Sequence, residues 1–128
     1  MTTDTVVDDQ PATAATSRGV VLVVDDEVLV RMNAVDMFED LGFEVLEAGS
    51  GPEALAKLEE RPDISLLFSD CRMPGMTGPE LAEIAARLRP SLRIVLVSGY
   101  IGIGLGGWTY LAKPYDLSAL ERVVGCPS

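Results

Sequence analysis

Five polar residues in this chain have side chains suited to chemistry, and each stands at the end of an apolar run. Asp25 and Asp26 follow VVLVV, Asp70 ends ISLLFSD, Ser98 ends LRIVLVS and Lys113 follows TYLA. The chain contains no histidine. That excludes a Ser/His/Asp or Cys/His triad, a histidine-ligated zinc site and a phosphohistidine carried by the chain itself. Cys71 and Cys126 lack the spacing of metal ligands and read as two free thiols in a reducing compartment. Carboxylates, hydroxyls and lysine remain as working groups. Carboxylates gathered in one place repel and raise one another's pKa, unless a cation lies among them. With neither imidazole nor thiolate in the set, the ion selected is hard, and Mg²⁺ is the natural choice. Phosphate oxygens commonly complete the shell of Mg²⁺, and a nearby amine and hydroxyl suit the same anion. The set therefore points to a phosphoryl guest, with one carboxylate available as its nucleophile.

For these groups to meet, the elements that carry them must end at one edge. The pattern along the chain provides this. Val20–Val24 is a continuous apolar run, as in a strand buried on both faces. Val28, Met32, Val35, Met37, Phe38 and Leu41 follow at helical spacing, and Gly42 stops them. Phe43–Ala48 reads as a second strand. Ser50, Pro52 and Glu53 have the order of an N-cap, a first-turn proline and a capping partner, opening a helix to about Glu60. Ile64–Asp70 is a third strand, and MPGMTG after it is turn chemistry. Pro79 opens a helix with Leu81, Ile84, Ala85 and Leu88 on one face, closed by Pro90. Leu92–Ser98 and Thr109–Ala112 are the fourth and fifth strands, and Asp116 caps a last helix to Val124. Alternating helices and uniformly apolar strands predict a doubly wound α/β domain with a parallel sheet covered on both faces. In such folds the site lies beyond the carboxyl ends of the strands, where Asp25, Asp26, Asp70, Ser98 and Lys113 all fall.

Composition narrows the function further. The chain has 128 residues, with 20 Asp and Glu against 10 Lys and Arg. The formal net charge of −10 argues against direct nucleic-acid binding, which wants a basic face. No apolar run approaches the roughly 18 residues of a membrane span, and no signal peptide is evident, so a cytoplasmic location without membrane insertion is expected. Residues 1–18 are rich in Thr, Ala and Asp and read as a tail. Residues 19–125 form one domain, and 126–128 a short C-terminal tail.

Taken together, VLVVDDE, SDCRMPGMTG, VLVSGY and YLAKPY resemble the receiver domain of two-component response regulators over roughly Val20 to Val124. The resemblance implies a flavodoxin-like fold, a five-stranded parallel sheet of order 2-1-3-4-5. It implies that Asp70 is the phosphoacceptor, taking its phosphoryl group from the phosphohistidine of a sensor histidine kinase or histidine phosphotransfer protein. Asp25 and Asp26 would hold Mg²⁺ together with Asp70 and the backbone carbonyl of Arg72. Lys113 pairs with the phosphoryl oxygens, Ser98 is the switch hydroxyl and Tyr110 the switch aromatic. The Lys113–Pro114 bond is usually cis in the family. Output by contact with a downstream protein is expected, since no DNA-binding segment follows Val124 in this sequence. Such a chain phosphorylates and dephosphorylates itself and is not a turnover enzyme. The alternative is a phosphorylation-independent pseudo-receiver that keeps the fold as an interaction module. A magnesium-dependent phosphohydrolase is disfavoured, because its second catalytic acid would stand at Arg72.

One segment departs from the family. Gly99, Gly102, Gly104, Gly106 and Gly107 crowd the crossover that normally carries the fourth helix. Each costs roughly 1 kcal/mol relative to alanine in a helix. About ten residues separate Ser98 from Thr109, near the minimum for a parallel crossover. The expectation is a short or lost helix, replaced by a mobile loop that phosphorylation or a partner orders. Gly102, Gly104 and Gly107 match G-x-G-x-x-G formally, but no helix and no acid follow at the distances a dinucleotide needs.

Overall fold

The structure is a computed structural model and describes residues 18–99 and 107–124. The described residues form five strands and four helices, in the order β1 (Val20–Val24), α1 (Val28–Asp40), β2 (Glu44–Ala48), α2 (Gly51–Glu60), β3 (Ile64–Asp70), α3 (Gly78–Leu88), β4 (Arg93–Ser98), β5 (Thr109–Ala112) and α4 (Leu117–Val124). All pairings are parallel and the order is β2-β1-β3-β4-β5, the flavodoxin-like arrangement expected.

The strand sequences explain the layering. Every residue of β1 is buried, because helices cover both faces of the central strands. Val20, Leu22, Val24 and Leu67 pack with Ala54 and Leu58 of α2 and Leu81 and Ala85 of α3. Val21, Val23, Leu66 and Phe68 pack on the other face with Ala34 and Phe38 of α1 and Leu120 and Val124 of α4. The alternation of side chains along each strand thus feeds two cores. Phe68 links the second core to the end of the sheet through edge-on contacts with Phe38 and Tyr115.

The capping expectations hold for α2 and α4. The Ser50 side chain accepts from the Glu53 amide and Asp116 Oδ1 from the Ala119 amide. The start of α3 is more elaborate than the sequence reading had it. Pro79 stands in its first turn as expected, while Thr77 is its cap, and Thr77 and Glu80 close a reciprocal capping box. The helical spacing read at the start of α1 holds, but burial does not follow all of it. Val28 and Met32 belong to the apolar spacing of α1, yet they are 55% and 52% exposed, and Leu29 is 79% exposed. They stand on the first turns, at the rim, ahead of Ala34 and Phe38, the residues that are buried against the sheet.

Gly99 and Gly107 are exposed, and Gly107 has a positive φ of 76°, a backbone that disfavours a side chain. The expected lost helix and mobile loop fall on residues 100–106, which lie outside the described residues, as do residues 1–17 and 125–128. Among the described residues, α4 is the fourth helix and is short. None of the described helices is long and apolar enough to cross a membrane.

Candidate functional site

Register brings the candidate residues together. Val24 pairs with Ser69, so Asp25 and Asp70 leave β1 and β3 side by side. Asp70 pairs with Val97, which puts Ser98 one residue further along β4. Ser98 pairs with Ala112, and Lys113 follows. These ends lie at the point where strand order reverses about β1 and β3, the crevice that doubly wound sheets use for ligands.

Carboxylate oxygens of Asp25, Asp26 and Asp70 lie within 4.8 Å of one another. Lys113 Nζ is 2.8 Å from Asp70 Oδ1. Asp25 is 6% exposed and Asp26 is exposed. The Asp70 side chain is 11% exposed and that of Lys113 32%. Three carboxylates therefore share one crevice with a single ammonium.

The electrostatics follow from this crowding. Burial raises the pKa of Asp25, with help from the charges of Asp70 and Asp26. The Glu27 amide and Lys113 oppose the shift without cancelling it. For Lys113, burial pulls the pKa down, but the ion pair with Asp70 and the fields of Asp25 and Glu27 outweigh it and hold the ammonium above its usual range. Tyr115 is pushed up to about 12 by burial and by the negative charges of Asp25 and Asp70. An all-oxygen set at this spacing fits a hard cation. Opposite ligands of Mg²⁺ are about 4.2 Å apart at bond lengths near 2.1 Å.

The backbone around the acids is tightly held. The Asp25 amide donates to the Ala48 carbonyl at 3.2 Å, and Asp25 Oδ1 accepts from the Glu27 amide at 2.9 Å. The Asp70 carbonyl accepts from Ser69 Oγ at 2.9 Å, and the Cys71 amide donates to the Val97 carbonyl at 3.0 Å. Gly78 packs so closely that a Cβ there would run into the Asp70 carbonyl oxygen and lie 2.9 Å from Cys71 Cα. Glycine at 78 is thus a condition for the position of Asp70.

The remaining candidates are placed as follows. Ser98 is half-buried and lies beside the Cys71 side chain. Its carbonyl accepts from the Lys113 amide at 2.9 Å. Tyr110 is half-buried on β5, and Arg72 is exposed in the loop after β3. The Lys113–Pro114 peptide bond is cis. Sequence reasoning missed Gly78, Tyr115 and the pair Arg31–Glu47. Arg31 Nε lies 3.0 Å from Glu47 Oε1, and its Nη1 lies 2.7 Å from the carbonyl oxygen of Asp25. No spacing rule links a helix residue to a strand residue sixteen positions on. Gly78 carried a signal in TGPE, where a glycine directly before a first-turn proline has no role in helix propensity.

With that geometry in hand, comparison with known proteins identifies the class. Residues 21–125 match the response regulator receiver domain, and the chain belongs to that family. It is 33% identical to the sensor kinase CckA of Brucella abortus (strain 2308), over 90% of this chain but 13% of that protein. It is 30% identical to sporulation initiation phosphotransferase F of Bacillus subtilis (strain 168), over 81% of this chain and 89% of that protein. Among solved structures, it is similar to a chain of the CheX–CheY–BeF3–Mg²⁺ complex from Borrelia burgdorferi. The TM-score is 0.77 at 26% identity, covering 83% of this chain and 86% of that one.

Proposed function

We propose that this receiver domain accepts a phosphoryl group on Asp70, with Mg²⁺ as cofactor, from the phosphohistidine of a sensor histidine kinase or a histidine phosphotransfer protein. The observation that carries this reading is the 2.8 Å ion pair between Lys113 and Asp70 inside the cluster of Asp25, Asp26 and Asp70. The neighbouring structure obtained with BeF3, a mimic of a phosphoryl group, and Mg²⁺ supports it. A carboxylate oxygen of Asp70 attacks phosphorus as the P–N bond of the donor breaks. The imidazole nitrogen leaves with the bonding pair, and an acyl phosphate forms. Asp25 and Asp26, with Asp70 and the Arg72 carbonyl, would hold the ion. When bound, Mg²⁺ neutralises charge on the phosphoryl oxygens. Lys113 already sits on the accepting carboxylate, so its ammonium meets the incoming anion without rearrangement. Ser98 supplies a hydroxyl to a phosphoryl oxygen, and Tyr110 follows its movement. Hydrolysis of the acyl phosphate resets the chain, which works in the cytoplasm as a switch and not as an enzyme on an external substrate. Its output is contact with a downstream protein.

Incubation with acetyl phosphate and Mg²⁺ tests the reading. Intact mass spectrometry should show one added phosphoryl group, labile to alkali, that Asp70→Asn abolishes and EDTA suppresses. A wild-type chain that stays unmodified under conditions where a control receiver is phosphorylated would favour the pseudo-receiver alternative.

A further inference from the structure

Arg31 is a helix residue that turns back toward the strand end. Its side chain is 18% exposed, and it places two different groups on two different acceptors. Nε meets the Glu47 carboxylate at 3.0 Å, and Nη1 meets the main-chain carbonyl of Asp25 at 2.7 Å. An ion pair with Glu47 alone would be an ordinary surface contact, worth little. The second bond is different in kind. The ladders of β1 end at Val24, paired with Ala48 on one side and Ser69 on the other. The Asp25 carbonyl therefore lies past the last strand pair, where the sheet no longer fixes the peptide plane.

We infer that Arg31 is a positioning residue for the cation site: it fixes the Asp25–Asp26 peptide plane and so aims both carboxylates at the crevice. Three contacts then hold this turn: Ala48 on the Asp25 amide, Glu27 on the Asp25 carboxylate and Arg31 on the Asp25 carbonyl. Glu47 holds the guanidinium in place from β2. Its negative charge also offsets that of Arg31, so the effect on the acids is geometric more than coulombic. Groups behind a metal's own ligands commonly change its affinity 10- to 100-fold when removed.

This inference rests on the metal-binding reading above, and the test separates the two. Mg²⁺ affinity is measured by isothermal titration calorimetry on the wild type, Arg31→Met, Arg31→Lys and Glu47→Ala. Amide hydrogen exchange is followed on the same metal-free proteins. Arg31→Met keeps the bulk of the stem and loses both bonds. It should weaken Mg²⁺ binding about tenfold or more and speed exchange at the Glu27 amide, while the amide of Leu22 in the core keeps its protection. Arg31→Lys should restore part of the affinity, and Glu47→Ala should lose less than Arg31→Met. Unchanged affinity in Arg31→Met, beside a wild type that binds, overturns the inference alone. So does a loss of affinity matched by equal deprotection of Leu22, which marks general destabilisation. A wild type that binds no Mg²⁺ overturns the metal reading, and this inference with it.

Discussion

Asp25 carries the sharpest conflict at the level of single residues. Its carboxylate is buried beside two other acids, and its pKa stands above the ordinary value of 3.8. Asparagine at this position keeps an oxygen for the Glu27 amide and removes the charge. Asp25→Asn should therefore raise the urea midpoint of the metal-free protein at neutral pH. The sign follows from proton linkage. Above pH 3.8 the folded wild type binds more protons than the unfolded chain, so Asp25 lowers stability as pH rises through its raised folded value. The gap in stability between Asp25→Asn and wild type should be small below pH 3.8, widen through that window and then level off. On the proposed Mg²⁺ reading, saturating Mg²⁺ should reverse the order, since an ion that binds only the folded state stabilises it and the variant would lack one of its carboxylates. A gap that stays constant with pH would contradict this account. The residues of the site were legible in the sequence because each closes an apolar run, and strand ends in a parallel sheet share an edge. Arg31 was not legible, because its partners come from another strand and from a main-chain carbonyl, which has no sequence signature.

Among the elements, α3 shows how a helix terminus serves the site. Its capping box at Thr77 and Glu80 fixes the first turn, and Gly78 in that turn lies against the Asp70 carbonyl. Thr77→Ala should cost about 1 kcal/mol in stability, read from urea unfolding, with little effect on phosphorylation. Gly78→Ala should act the other way round on function, displacing Asp70 and slowing phosphorylation by acetyl phosphate well beyond Thr77→Ala. Equal rates in the two variants would show that the close approach at Gly78 does not matter to the acceptor. Most elements could be read from periodicity and from cap residues such as Ser50 and Asp116. The first turns of α1 could not. Helical spacing says which apolar residues share a face, but not how far the sheet extends beneath them, and Val28, Leu29 and Met32 lie where cover has run out. The glycine-rich crossover was flagged by composition, and its residues 100–106 fall outside the described structure.

For the molecule as a whole, the parallel sheet separates two edges. The acids, Ser98 and Lys113 lie where the strands end, whereas β1 begins at the opposite edge. Arg18, just ahead of β1, reaches Glu121 of α4 at 3.9 Å and lies over the Phe43 ring. The approach to β1 and the later turns of α4 are thus neighbours, at the edge opposite the acids. A folded partner domain fused ahead of Arg18 should leave the acetyl phosphate reaction rate unchanged. A marked slowing would mean that this edge communicates with the acceptor. A neighbour joined ahead of Arg18 would press first on the tail of that helix, with the whole depth of the sheet between it and the acids.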